Sequence, residues 1–222
     1  RRPIPGPVAQ PDRLGRPFSR HSDKFCSLIH RSDSGSLWLG KSGYVDLLST
    51  NLGYKHYRGI DIGADYSMPI LGGNLDLKLQ GTHLLKKFTQ EIDGLASSEV
   101  SCVGKFASGC YASPRWRHNL QAMYSSSSAG WSAGLRWRYY AAIDNLDKTV
   151  TGLNAHIGSQ SYLDVPAVFK IGASSSLNMG INNILDKEPP LVGAGANPEN
   201  ANSFNIYDTL GRYVYASLTM KF

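Results

Sequence analysis

Serine, histidine and aspartate, the parts of a nucleophilic triad, all occur in this chain, but its one Gly-x-Ser-x-Gly, Gly130 to Gly134, opens a run of strand alternation and not the strand-to-helix turn that brings a nucleophile forward. No histidine falls at a convincing position beside a strand serine either, so the chain is expected not to be an enzyme. His21, Cys26 and His30 are metal-ligand types, yet they lie in a polar stretch with no ordered scaffold to fix their geometry. Neither a metal nor a cofactor is expected. Cys102 and Cys110 are separated by seven residues in a Gly/Ser-rich stretch, a spacing that can close a small surface loop by a disulfide in an oxidising compartment. A zinc site would need a second Cys/His pair close by, and none is there. Cys26 is left over, with no partner that sequence can assign.

The remaining chemistry is charge. Twenty-three Lys plus Arg against 17 Asp plus Glu give +6, and two triplets, Arg115-Trp116-Arg117 and Arg136-Trp137-Arg138, flank an aromatic with cations. The basic residues are scattered and no nucleic-acid recognition motif accompanies them, so nucleic acid is not an expected partner. Strand alternation would put each pair of arginines on one face and the tryptophan on the other.

Those side chains need strands to carry them. In Arg58 to Met68, Ile60, Ile62, Ala64, Tyr66 and Met68 share one face, and Gly59, Asp61, Gly63, Asp65 and Ser67 the other. Ten consecutive placements of this kind arise by chance roughly once in a thousand, so period-2 counting makes this a strand. The same alternation recurs at Leu75–Gln80, Trp116–Tyr124, Trp131–Tyr139, Leu163–Ile171, Leu177–Asn182 and Tyr213–Phe222, with His118 the one polar intruder on an apolar face. That makes seven strands. Tight Gly- and Ser-rich turns at 69–74, 125–130 and 172–176 alternate with long polar connections at 89–113, 143–161 and 187–206. An antiparallel up-and-down meander with one elaborated and one trimmed end follows.

Two solvents could suit such a sheet. A β-sandwich also alternates, but it needs neither long loops confined to one end nor Trp and Tyr near strand ends, whereas outer-membrane barrels require both. No run of 18 apolar residues occurs, so a spanning α-helix is excluded, whereas strands of about 9–11 residues with an apolar exterior can close into a ring in lipid. On this reading Ile62, Leu135 and Leu218 face hydrocarbon. Asp61, Asp65, Lys78, Arg117, Arg136 and Arg138 line a polar lumen, where the arginines of the second triplet pair with carboxylates on neighbouring strands. Trp131 and Tyr139 suit the two aromatic girdles. Seven strands do not close a bacterial barrel, which holds an even number of at least about eight. Either Ser36 to Leu48 supplies an eighth strand and the chain is a self-contained small barrel with a structural or adhesin role, or it is one sector of a larger barrel. The second is the reading preferred.

Three segments carry a resemblance. Arg58-Gly59-Ile60-Asp61-Ile62 resembles the R-G-[IV]-[DE]-[LIV] strand of TonB-dependent outer-membrane receptors. Gly180-Ile181-Asn182-Asn183-Ile184-Leu185-Asp186-Lys187-Glu188-Pro189-Pro190 resembles their G-[VI]-x-N-L-[FL]-[DN]-K-x-P-P segment. Tyr207-Asp208-Thr209-Leu210-Gly211-Arg212 resembles the opening of their closing strand, which ends on an assembly signal matched here by Val214, Ala216, Leu218, Met220 and Phe222. The resemblance runs from about Phe25 to Phe222.

It implies an all-β, antiparallel transmembrane barrel of about 22 strands, plugged by an N-terminal domain, of which this chain would supply seven or eight. Residues 1–20 would be an unstructured basic, Pro-rich lead and 21–222 the C-terminal barrel portion, a fragment with plug and TonB-contacting segment absent. The implied place is the Gram-negative outer membrane and the implied role active nutrient uptake. Implied partners are outer-membrane lipid, the barrel assembly machinery, a small nutrient ligand, and TonB through the missing N-terminal parts. The loop from Cys26 to Leu39 and the Cys102 to Cys110 loop resemble a proteobacterial branch associated with carbohydrate or other non-siderophore nutrients.

Overall fold

The computed structural model describes residues 28–35, 37, 43–46, 53–90, 99–107, 110–172, 174–193 and 203–220. Residues 1–20, His21, Cys26 and Phe222 lie outside that set, as do Ser27, Ser36, Trp38 and Leu39 of the loop from Cys26 to Leu39. In chain order the strands are β1 (Ile29–His30), β2 (Tyr44–Val45), β3 (Tyr54–Ile70), β4 (Gly73–Gln90), β5 (Glu99–Ser101), β6 (Lys105–Ala107) and β7 (Cys110–Ser113). They continue with β8 (Trp116–Ser126), β9 (Trp131–Tyr140), β10 (Ile143–Asn145), β11 (His156–Ile157), β12 (Gln160–Ile171), β13 (Ser175–Asn182) and β14 (Tyr213–Met220). Two compact units result, residues 1–54 with 90–98, and residues 55–89 with 99–222.

In the first unit β1 and β2 pair antiparallel, Ile29 opposite Val45 and His30 opposite Tyr44. The His30 ring stacks on Tyr44 with centroids 4.3 Å apart, and its Nε2 lies 2.9 Å from Asp46 Oδ2. Of the stretch Ser36 to Leu48, the alternative eighth strand, Leu37 and residues 43–46 are described and the rest lies outside the described residues; 43–46 hold the two-residue β2, whose ladder partner is β1.

In the second unit the seven long strands form one sheet in the order β14-β13-β12-β9-β8-β4-β3, with β3 and β14 at its two edges and no closure among the described residues. The connections at one end are tight. Leu71 and Gly72, both at positive φ (50° and 71°), make the two-residue turn between β3 and β4, the backbone that fits the twist of a hairpin. β3 and β4, at 17 and 18 residues, are longer than the roughly 9–11 that a tilted strand needs to cross a bilayer.

The register sorts the sheet into two faces. Leu79, Leu120, Trp137 and Leu163 fall in one row across β4, β8, β9 and β12, as do Phe169, Leu177 and Leu218 across β12, β13 and β14. On the opposite face Lys78, Gln121, Arg136 and Asp164 share a row, followed by Gln80, Asn119, Arg138 and Tyr162. The apolar face is bare: Ile62 is 45% exposed, Leu135 50% and Leu218 57%. Water-soluble monomers rarely show apolar patches larger than about a few hundred Å², and this face continues through the whole sheet. His118, polar on the apolar face, is satisfied by its neighbours. Trp116 Nε1 donates to its Nδ1 at 2.9 Å, and its ring stacks on Tyr139 at 5.3 Å.

The long connections are more ordered than their polarity suggests. A four-stranded sheet in the order β11-β10-β6-β7, including a parallel pair between β10 and β6, assembles from them at the elaborated end. Beneath it sits the described residues' hydrophobic core: Phe106, Ile143, Ile157, Val192, Phe204 and Tyr207, joined by Tyr162 from β12. Cys102 and Cys110 form a disulfide (Cα–Cα 5.5 Å) that clips β7 back over this core. Asp144 on β10 sits between His156 and Lys105, at 2.7 and 3.2 Å. Hydrogen bonds from first the histidine and then the lysine hold its carboxyl below the usual carboxylate range.

Candidate functional site

On the polar face, alternation places Arg136 and Arg138 side by side on β9, and the β9–β12 register sets Asp164 directly opposite Arg136. The carboxylate of Asp164, 1% exposed, is saturated. Its Oδ2 accepts from Arg136 Nε at 2.8 Å and Arg138 Nε at 2.7 Å. Its Oδ1 accepts from Arg138 Nη2 at 2.9 Å and from the Asn183 amide at 2.8 Å. Four donors fill the four lone-pair sites of a carboxylate. Arg138 then reaches outward, Nη1 donating to Asp208 Oδ1 at 2.8 Å, while its guanidinium lies 5.1 Å over the Tyr162 ring. Arg136 Nη2 adds a bond to Asn182 at 3.1 Å. Two arginines and two aspartates make this network neutral.

The network also gives two of the sequence motifs a physical role. Asn183 adopts positive φ (51°) at the end of β13 and is fully buried. Its side chain bonds the Lys187 backbone both ways, Nδ2 to the carbonyl at 2.8 Å and Oδ1 from the amide at 2.9 Å. Asp186 accepts from the Arg212 amide at 2.8 Å, and Arg212 Nη1 donates to the Ile184 carbonyl at 3.3 Å. The 180–190 and 207–212 segments therefore interlock, with Asp208 tied to Arg138 and Tyr207 buried in the core, where desolvation raises its phenol. Sequence reasoning named Arg136 and Arg138 but not Asp164, Asn183 or Asp208 as their anchors. The signal available was that two adjacent arginines on one face demand a carboxylate from the next strand.

The other sequence-predicted residues lie nearer β3. Asp61 accepts from Thr82 Oγ1 at 2.8 Å, and Asp65 faces Lys78 at 3.5 Å, so these three occupy the same face of the β3–β4 hairpin without touching the arginine network. Arg117 is exposed and has no ion pair among the described residues. It lines an open groove of about 450 Å³ with Asp61, Gln80, Thr82, Asn119 and Tyr140. A second hollow of about 200 Å³ shares Thr82, Arg117 and Tyr140 and extends toward the loop end past Lys87, Ser113 and Ile206. Val214, Ala216, Leu218 and Met220 stand together on the exposed apolar face of β14; Phe222 lies outside the described residues. No group of three or more His, Cys, Asp or Glu that could hold a metal occurs among the described residues.

Comparison with known proteins gives one kind of likeness. No family model matches the sequence, and no curated protein does. Among solved structures, a mutant of the ferric enterobactin receptor from Pseudomonas aeruginosa superposes on 73% of this chain at 17% identity, with a TM-score of 0.48. The same receptor in complex with BCV-L6 superposes on 72% at 17% identity, with a TM-score of 0.49. The chain is similar to these receptors. It covers 22% of the length of each.

Proposed function

We propose that this chain is a sector of a TonB-dependent outer-membrane receptor's barrel, serving uptake of a small nutrient such as a siderophore or carbohydrate. One observation supports it above the others: a continuous apolar face, half exposed at Ile62, Leu135 and Leu218, on the side of the sheet opposite a charged and hydrogen-bonded one. In lipid every backbone group must pair within the sheet, and an apolar exterior with a polar interior is the arrangement that results. The receptor assignment itself rests on the three motif segments. Lipid and the barrel assembly machinery are the proposed partners of the exposed face, and TonB would act through a plug encoded elsewhere in the full protein. The chain has no catalytic step in this reading.

The test is a contrast between faces. In vesicles, Leu135→Arg puts a charge among hydrocarbon chains and costs about 2–4 kcal/mol, read as a lower urea midpoint, while Ser132→Arg on the polar side costs far less. Equal losses would mean that the faces are wrongly assigned. The coding sequence upstream should encode a plug and the earlier strands. An unrelated protein with its own stop codon there would favour the self-contained small barrel instead, which heat-modifiable gel mobility of the refolded chain would then support.

A further inference from the structure

The polar face is balanced at one place and unbalanced at another. Around Arg138 two carboxylates neutralise two guanidinium groups, leaving nothing for a ligand to claim. The two hollows beside β3 and β4, which share Thr82, Arg117 and Tyr140, differ. Arg117 enters them with no ion pair among the described residues, and the groups that hold the half-buried Lys87 among those residues are uncharged: Ser113 Oγ accepts from its Nζ at 2.6 Å, and the Tyr57 ring lies 5.7 Å away. Lys55 lies near enough to repel it. Asp61 is the one acid among the described residues lining either hollow, and it already accepts from Thr82. Around these cations stand neutral hydrogen-bonding groups, Gln80 and Asn119 in the hollow of about 450 Å³ and Thr82 and Tyr140 in both it and the one of about 200 Å³ that Lys87 lines.

A desolvated ammonium without a counter-charge is costly, and it persists where something anionic completes it. A guanidinium fork receives a planar or tetrahedral oxyanion through two parallel bonds, and an ammonium adds a point charge beside it. We infer that this groove is a recognition site for a small soluble solute bearing a carboxylate or phosphate, with Arg117 and Lys87 taking the oxyanion and Thr82, Asn119 and Tyr140 available to its hydroxyl or carbonyl groups. The inference rests on the reading above, since it needs the polar face to line an aqueous interior.

The measurement is calorimetric titration of the whole 222-residue chain, refolded into vesicles at low ionic strength, with citrate, inorganic phosphate and, as a neutral control, glucose. At least one anion should bind about tenfold or more tighter than glucose, the least that charge-assisted bonds to two cations supply. That preference should fall about tenfold in Arg117→Ala and in Lys87→Met, and be partly kept in Arg117→Lys. Citrate binding alone assigns a carboxylate and phosphate binding alone a phosphate. Anions binding no better than glucose, or binding unchanged in both variants, would overturn the site. Because the Leu135→Arg and Ser132→Arg contrast is read on the same vesicles, a chain that passes it yet binds no anion loses this inference and keeps the barrel.

Discussion

Two Arg-Trp-Arg triplets sit on neighbouring strands of one sheet, and only one of them is neutralised. In Arg136-Trp137-Arg138 the arginines converge on Asp164 and Asp208, and the tryptophan turns to the apolar side, 40% exposed. In Arg115-Trp116-Arg117 the tryptophan again lies on the apolar side, bonded to His118, but Arg117 opens onto a groove and has no ion pair among the described residues. The local sequence is the same, and the neighbours differ. β9 borders β12, which brings a carboxylate opposite Arg136, whereas β8 lies between β4 and β9, where the residues opposite Arg117 are Thr82 and Tyr140. The fate of a charged side chain on a sheet is thus set by register, through residues far away in the chain. A paired arginine holds strands and loops together, while an unpaired one is free to meet something else.

That difference can be broken at either triplet. The largest effect should come from Asp164→Ala, which strands two guanidinium groups and the Asn183 amide at once. Removing one side of a buried pair costs about 3–5 kcal/mol, and partial exposure of Arg136 places the loss toward the lower end, read as a lowered urea midpoint in vesicles. Arg138→Lys keeps the charge but replaces the fork that spans Asp164 and Asp208 by a single point, so a loss of about 1–3 kcal/mol is expected. Hydrogen exchange should show the 203–212 segment loosening first. Arg117→Ala should leave the midpoint within about 0.5 kcal/mol of the wild type, the range of surface substitutions. A loss as large as that of Arg138→Lys would mean that Arg117 is structural and that the two triplets are alike after all.

Much of the large sheet was legible in the sequence because two faces of opposite polarity impose a period of two on every strand. The alternation of Trp131 to Tyr139 predicts β9 to within a residue, and the Gly-rich stretches at 69–74, 125–130 and 172–176 mark the tight turns. The loop-end sheet was not legible. β6, β10 and β11 are two or three residues long, too short to show a period, and the pair between β10 and β6 is parallel and joins residues about forty positions apart. Phe106 and Phe204 each read as a lone apolar residue in a polar stretch, Ile143 and Val192 end short apolar runs with no strand period, and only folding reveals that they share one core. At the site, the arginines and Asp61 were legible as polar-face residues. That Arg138 is satisfied and Arg117 is not was hidden, because the decisive residues, Asp164, Asp208 and Thr82, come from other strands and loops.

Among the described residues the sheet ends in two open margins, 17 residues of β3 on one side and 8 of β14 on the other. Along each runs a row of amides and carbonyls that hydrocarbon cannot solvate, at a cost of several kcal/mol for each group left bare. A lone copy immersed in a bilayer is therefore adhesive. It must recruit strands from a companion, zip onto another copy of itself, or stay with the chaperones that carried it there, and the length of β3 makes that margin the stickier of the two.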